Sequence, residues 1–315
     1  MAPKRKNAYV ALAVGISLLA VVLCLLLIGY GQIKKAQNKL ERDRDAAKVQ
    51  VLVAVDPCAD LVERVGGDDV RVSVLTPEGK SPETFAPTPS QLADVASTEL
   101  FFLVGLPVEK RLLDSVQSIA PDAVLVDLCE GVELIAERAP DSASSDPHLW
   151  TSPSVARKMV AKIAEELAKI DPEHAERYIE NAGALDAELE ALQQEVGAAL
   201  RPYKGRFFLV FHPAYGYYAR EFGLEQRAIE TDGKAPKPRE LEALVDAARS
   251  ANVRALILQP EFNRSAAEVI ADSFGADLVE HSPLLRDYFA NIRSLTDAIL
   301  RSFADPNDQP VSEPR

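Results

Sequence analysis

Short apolar runs recur along the chain, and amphipathic segments separate them. The runs span residues 49–55, 70–75, 100–104, 123–127, 206–211, 254–259 and 277–279. Apolar runs that alternate with helical segments are typical of parallel strands covered on both faces. The pattern predicts an α/β fold with two Rossmann-like lobes, over residues 49–153 and 206–303.

Helical periodicity dominates the segment between the two predicted lobes, residues 154–205. Residues 155–170 are amphipathic, and Asp171-Pro172 marks a break. Residues 174–200 contain no proline and predict a helix about 40 Å long. We expect this long rigid helix to join the lobes. Ligands of open parallel sheets bind outside the carboxyl ends of the strands, so we expect a shared cleft between the lobes.

The first 30 residues have the pattern of a membrane anchor. Three basic residues precede an uncharged apolar stretch, residues 8–30, which as a helix would span about 34 Å. A cleaved signal peptide is the alternative, but its apolar core is usually shorter, and no A-x-A-like site precedes Gln32. We expect a retained single-pass anchor in the cytoplasmic membrane with a cytoplasmic tip, then a charged stalk over residues 31–48. The binding domain is expected on the extracytoplasmic side, and the proline-rich residues 304–315 as a disordered tail.

Charge and cysteine content exclude some classes of function. The 315 residues have a formal net charge of −13, and the part after Lys48 has 26 basic and 45 acidic residues. Such an acidic domain repels phosphate backbones, so we expect no nucleic-acid partner. The three cysteines form no CxxC pair, which excludes a thiolate zinc knuckle. Cys58 and Cys129 are expected to be buried thiols, and a disulfide between them stays open.

The chain has four histidines, and three of them lie next to predicted strand ends or cleft loops. His212 ends one apolar run, His281 follows another, and His148 lies in a proline-containing loop before the long helices. Any one histidine is more often an ordinary polar residue. Three at the edges of the lobes favour metal ligation, because neutral imidazole is a good zinc ligand. His174 starts a helix and is expected at the surface.

Several stretches resemble one family, the zinc- and manganese-binding solute-binding proteins of ABC transporters (ZnuA/TroA-like, metal-binding cluster A-I). The stretches are residues 81–91 (SPETFAPTPSQ), 146–153 (DPHLWTSP), 211–220 (FHPAYGYYAR), 257–262 (ILQPEF) and 280–284 (EHSPL). Asp171-Pro172 with Tyr178 and Asn181 is also similar to the start of that family's inter-lobe helix. The resemblance covers residues 48–303, with the motifs in the family's order.

The resemblance implies one metal ion between the lobes, with ligands from four loops. His148 and His212 match the second and third ligand positions directly, and a histidine at the third position is typical of the zinc members. Glu83 occupies the first position, where the family usually has histidine. Ser282 occupies the fourth, where the family usually has aspartate, and His281 is adjacent.

The resulting prediction is a metal site of Glu83, His148, His212 and His281. Three imidazoles and one carboxylate suit tetrahedral Zn²⁺ and are less suited to Mn²⁺. The alternative is that Ser282 faces the cleft, with a water as the fourth ligand.

The resemblance also implies a function. We expect a monomeric protein that binds a transition-metal ion outside the cytoplasm and delivers it to the permease of an ABC importer. Two alternatives remain. One is a metal-binding adhesin or assembly factor of the same fold. The other is a zinc hydrolase with Glu83 as general base, which the lack of an HExxH motif disfavours; we therefore expect no enzyme.

Overall fold

The structure is a computed structural model that describes Tyr30, Lys34 and residues 48–136, 145–230 and 237–303. The predicted anchor, stalk and tail lie outside these residues, apart from Tyr30, Lys34 and Lys48. Within the described part, no helix combines the length and the apolar character that crossing a membrane requires. The chain divides into one unit of Met1–Lys48 and one of Val49–Arg315. The following description concerns the second unit.

The N-terminal lobe is built on a four-stranded parallel sheet with the order β2-β1-β3-β4. Its strands are β1 (Val49–Val53), β2 (Val70–Val74), β3 (Leu100–Leu103) and β4 (Val124–Asp127). Its helices are α1 (Asp56–Gly66), α2 (Pro89–Ala93) and α3 (Pro107–Ile119). The central strands β1 and β3 are almost fully buried, as expected for a parallel sheet covered on both faces.

The C-terminal lobe repeats this arrangement with the strand order β6-β5-β7-β8. Its strands are β5 (Phe207–Val210), β6 (Glu225–Ala228), β7 (Ala255–Leu258) and β8 (Asp277–Glu280). The helices between them are α6 (Gly216–Phe222), α7 (Pro238–Ser250) and α8 (Arg264–Phe274). Strand β6 was not predicted. Its sequence, EQRA, is mostly polar because it is an edge strand that pairs only with β5.

Two α-helices connect the lobes. Helix α4 (Pro153–Ile170) and helix α5 (Ala175–Leu200) are separated by a short 3₁₀ turn, Pro172–His174. The 26 residues of α5 correspond to about 39 Å, as predicted. Helix α5 contacts α1 of the N-terminal lobe and also the final helix α9 (Tyr288–Phe303), which packs on β5 and β7. Helix α5 therefore supports both sheets.

Residues at the start of α9 and in the loop just before it form hydrogen bonds with the N-terminal lobe. The guanidinium of Arg286 donates to Asp56 at 2.6 Å and to Glu63 at 2.7 Å, both on α1. The backbone N–H of Tyr288 donates to Asp60 at 3.1 Å. The loop between β8 and α9 is thus held against the N-terminal lobe, although β8 itself belongs to the sheet of the C-terminal lobe.

The prediction of two α/β lobes with parallel sheets is confirmed. Cys58 is buried and Cys129 half-buried, and both are free thiols. Burial raises the pKa of the Cys58 thiol well above its usual value, with the nearby Glu109 and Cys129 adding to the rise.

Candidate metal site

Four loops at the carboxyl ends of strands β5 to β8 carry polar side chains. His212 follows β5, Glu230 follows β6, Gln259 and Glu261 follow β7, and His281 follows β8. Since the strands are parallel neighbours, these loops emerge at one edge of the sheet. The edge faces two loops of the other half of the molecule, those of Glu83 and His148.

Glu83, His148 and His212 form a compact cluster at this edge. Each offers one ligand atom, and these atoms all lie within 4.8 Å of one another. The ring centroids of the two histidines are 5.3 Å apart. The cavity that these residues line has a volume of about 20 Å³, room for about one water-sized sphere. A single ion fits in this space.

A buried carboxylate holds the ring of His148. Its Nδ1–H donates to Asp146 Oδ1 at 2.8 Å, and the same oxygen accepts the backbone N–H of His148 at 2.9 Å. His148 is 5% and Asp146 8% exposed. With Nδ1 bound to a carboxylate, Nε2 is the ring atom to face an ion, the arrangement of carboxylate–histidine–metal sites. The carboxylate also makes the imidazole a better electron donor.

The ring of His212 has the same kind of support. Its Nδ1 is hydrogen bonded to the buried carboxylate of Glu230. The side chain of Gln259 makes two hydrogen bonds to the His212 backbone. Its oxygen accepts from the N–H at 3.2 Å, and its nitrogen donates to the C=O at 2.8 Å. The ring of Phe262 stacks on the imidazole with centroids 4.9 Å apart. Backbone and ring are therefore both fixed.

Glu83 lies in a loop that α3 holds in place. The guanidinium of Arg111 on α3 donates to three carbonyl oxygens of the loop, those of Pro82, Glu83 and Phe85, at 3.3, 3.0 and 2.8 Å. The Glu83 N–H donates to the hydroxyl of Ser81 at 3.2 Å. The guanidinium of Arg111 thus holds the backbone of a short loop that lies outside any helix or strand.

Negative charge dominates around the cluster. The described residues that line the cavity include the carboxylates of Glu83 and Glu261 and no lysine or arginine. Asp146 and Glu230 add two carboxylates behind the imidazoles. At close range and in a partly dry cleft, this arrangement favours a cation over any anion or neutral solute.

His281, predicted as the fourth ligand, is not brought to the cluster. Its Nε2 lies 3.1 Å from the backbone carbonyl oxygen of Asn291, which can only accept, so Nε2 carries the proton. Its Nδ1 then accepts from the hydroxyl of Tyr215 at 2.9 Å. A neutral imidazole bonded in this way has no lone pair left for an ion. The reason for the difference is burial: the ring points into the lobe, 6% exposed, and desolvation lowers its pKa to about 4.

The neighbouring Ser282 is also engaged within its own loop. Its hydroxyl donates to Glu261 Oε1 at 3.3 Å and accepts the backbone N–H of Leu284 at 3.1 Å. The alternative, in which Ser282 faces the cleft and a water is the fourth ligand, stays a prediction. His174, expected at the surface, is partly exposed and bonded through Nδ1 to Asp171 at 2.7 Å.

Sequence reasoning missed the residues that support the ligands: Arg111, Asp146, Glu230 and Gln259. Asp146 and Gln259 lay inside the quoted motifs, so their positions were visible but not their roles. Glu230 follows the unpredicted strand β6, and recognising that strand would have placed it beside His212. Arg111 is 28 residues from Glu83, and no local pattern marks that contact.

A family model described as zinc-uptake complex component A, periplasmic (ZnuA), matches residues 51–302. Among solved structures, a zinc-bound deletion mutant of ZnuA has a TM-score of 0.78 and 35% identity over 82% of this chain and 100% of its own. The laminin-binding protein Lmb of Streptococcus agalactiae, described as bifunctional with adhesin and metal transporting activity, has a TM-score of 0.71 and 26% identity over 81% and 100%.

A curated relative of Bacillus subtilis has the name high-affinity zinc uptake system protein ZnuA. It is 25% identical over 82% of this chain and 85% of its own length. The family model covers well over half of this chain and includes both lobes and every residue of the cluster. The chain therefore belongs to the ZnuA family of periplasmic zinc-uptake components.

Proposed function

We propose that the protein binds one zinc ion outside the cytoplasm and delivers it to the permease of an ABC-type importer. The observation that carries the proposal is the convergence of Glu83, His148 and His212 on a cavity the size of one ion. Two imidazoles and a carboxylate are ligands that zinc prefers. The zinc-uptake names of similar proteins support the same cargo.

The structure of the site suits capture and release better than catalysis. Both imidazoles are held by carboxylates, so the site needs little rearrangement to bind the ion. The ligands come from loops of both lobes, so a small separation of the lobes breaks the set apart. A zinc hydrolase needs room for water and substrate at the metal. The cavity is small and the matching family model describes an uptake component, so we assign no catalytic step.

The location follows from the family, whose members are extracytoplasmic. The apolar stretch of residues 8–30 supports retention of the protein on the membrane, where tethering keeps the domain near a permease. Mass spectrometry of the mature protein tests this part of the proposal. A mature N-terminus beyond Gly29 contradicts a retained anchor and leaves metal binding untouched.

Zinc binding is tested by titration of the purified protein against a competing chelator, with His148→Ala, His212→Ala and His174→Ala variants. We expect one zinc per chain in the wild type, and a loss of more than about 100-fold in affinity for the first two variants. His174→Ala is the matched control, because its ring bonds to Asp171 outside the cluster. Equal affinity of all four proteins contradicts the site.

An adhesin is the second candidate, because the similar Lmb protein is described as both adhesin and metal transporter. Growth in zinc-poor medium of a strain lacking the gene, together with adhesion of that strain, separates the two roles. We expect impaired growth that added zinc restores. Normal growth with impaired adhesion favours the adhesin.

A further inference from the structure

The cluster of Glu83, His148 and His212 supplies three ligand atoms, whereas a closed zinc site in a protein has four. His281 does not supply the fourth, because both ring nitrogens are bonded within the C-terminal lobe. The fourth donor therefore has to come from another group that lines the cavity, or from water.

Few other side chains on the cavity wall can donate a lone pair. Both the oxygen and the nitrogen of the Gln259 amide are hydrogen bonded to the backbone of His212. The hydroxyl of Ser81 accepts the N–H of Glu83 and shapes that loop. Among the described residues that line the cavity, Glu261 is the remaining one with a strong metal-ligating group. Its carboxylate lies outside the cluster of atoms within 4.8 Å of one another, so its side chain has to turn toward the ion on binding.

The position of Glu261 is fixed by its neighbours in the loop after β7. Gln259, two residues before it, bonds to the His212 backbone, and Phe262, directly after it, stacks on the His212 ring. The N–H of Phe262 closes the turn by donating to the carbonyl oxygen of Gln259 at 3.1 Å. Glu261 is thus held on a turn whose two flanks both contact a ligand of the ion.

Ser282 orients the carboxylate. Its hydroxyl donates to Glu261 Oε1 at 3.3 Å, and that hydroxyl is itself fixed by the N–H of Leu284. A carboxylate has about four acceptor positions, and this hydrogen bond takes one of them. The serine therefore positions the group without using up its capacity to bind a cation.

We propose that the carboxylate of Glu261 is the fourth ligand of the bound ion and that Ser282 is the residue that positions it. The inference rests on the proposed function and names one ligand of that site. The ligand set becomes two imidazoles and two carboxylates, one nitrogen fewer and one oxygen more than the set predicted from the sequence. Since oxygen ligands suit manganese, the preference for zinc over manganese is smaller than three imidazoles would give.

The experiment measures zinc and manganese affinities of the full chain by chelator competition for Glu261→Gln, Glu261→Ala, Ser282→Ala and the control Glu268→Gln. Glu268 lies on α8 beside Arg264 and outside the cavity, so its variant reports the effect of losing a carboxylate nearby. We expect Glu261→Ala to weaken zinc binding by more than about 100-fold, Ser282→Ala by about 10-fold, and Glu268→Gln not at all. Added formate, a free carboxylate, is expected to restore part of the affinity of Glu261→Ala only.

The outcomes separate this inference from the proposed function. If the wild type binds zinc and His148→Ala does not, yet both Glu261 variants match the wild type, Glu261 is not a ligand and water takes the fourth place. A loss in Glu261→Gln and Glu261→Ala, with formate rescue of the latter, supports a direct ligand. Loss without rescue, together with a lower melting temperature of the metal-free variant, contradicts direct ligation and indicates a structural role. A wild type that binds no zinc contradicts the proposed function itself.

Discussion

Replacing His281 by glutamine tests whether this residue is a metal ligand, as the sequence predicts, or a buried residue of the C-terminal lobe, as in the structure. If His281 were a ligand, His281→Gln would weaken zinc binding strongly. In the structure the imidazole is buried and bonded to Tyr215 and Asn291, away from the cluster. Glutamine has a donor and an acceptor for the same partners but does not titrate. We therefore expect zinc affinity within about threefold of the wild type, since even residues behind a ligand usually change it by 10–100-fold.

The contribution of His281 to the free energy of unfolding can be calculated from its pKa shift. Desolvation lowers the pKa of His281 from its ordinary value of 6.5 to about 4. The unfolded chain takes up a proton as the pH falls below 6.5, whereas the folded protein does not until about pH 4. The contribution of this neutral imidazole is therefore fully present above pH 6.5 and lost between pH 6.5 and pH 4. A difference of this size corresponds to at most about 3 kcal/mol of unfolding free energy.

Urea unfolding of the metal-free protein at a series of pH values between 7 and 4 measures this effect. The carboxylates and the other histidines are the same in wild type and variant, so the difference between the two curves isolates His281. We expect the wild type to lose up to about 3 kcal/mol more than His281→Gln over this range. His174→Gln, measured up to pH 8, is the control with the opposite sign: the Asp171 hydrogen bond raises the pKa of His174, so its contribution is present below pH 6.5 and disappears as the pH rises above that value. Parallel curves for wild type and His281→Gln would contradict a buried neutral imidazole, and a large loss of zinc affinity would show that His281 is a ligand.

Four further predictions concern the supports of the site and the helices around it. Arg111→Ala frees three loop carbonyls, and chelator competition is expected to show about 10-fold weaker zinc binding with nearly unchanged thermal unfolding. A Cβ at Gly216 would lie 2.6 Å from Asp146 Oδ2, so Gly216→Ala is expected to weaken zinc binding by about 10-fold or more. Gly183→Ala meets no heavy atom within 4 Å and is its control: urea unfolding should show about 0.5–1 kcal/mol more stability at unchanged affinity. Arg286→Ala removes partly exposed ion pairs to α1 and is expected to cost about 1 kcal/mol or less in the same assay.

Hydrophobic patterning was sufficient for most of the fold, because buried parallel strands and amphipathic helices have distinct periodicities. Strand β6 was the exception. An edge strand is not buried on both faces, so EQRA has no apolar run to mark it. The omission also hid Glu230, whose position beside His212 follows from the strand that precedes it.

At the site, the sequence placed Glu83, His148 and His212 on loops that the structure brings together. It could not place His281. Adjacent residues of an extended segment point to opposite sides, and which side faces the cleft depends on the Tyr215 hydroxyl and the Asn291 carbonyl, contributed by distant parts of the chain. Arg111 was missed for the same reason, since its contact with the Glu83 loop is a matter of tertiary packing.

A crystal structure of the protein grown with zinc would show the metal site directly. We expect one ion between the lobes, about 2.0–2.2 Å from a carboxylate oxygen of Glu83 and from Nε2 of both His148 and His212. His281 should keep its hydrogen bonds to Tyr215 and Asn291. An ion bound elsewhere, or one bound by His281 in place of any of the three, would contradict the account.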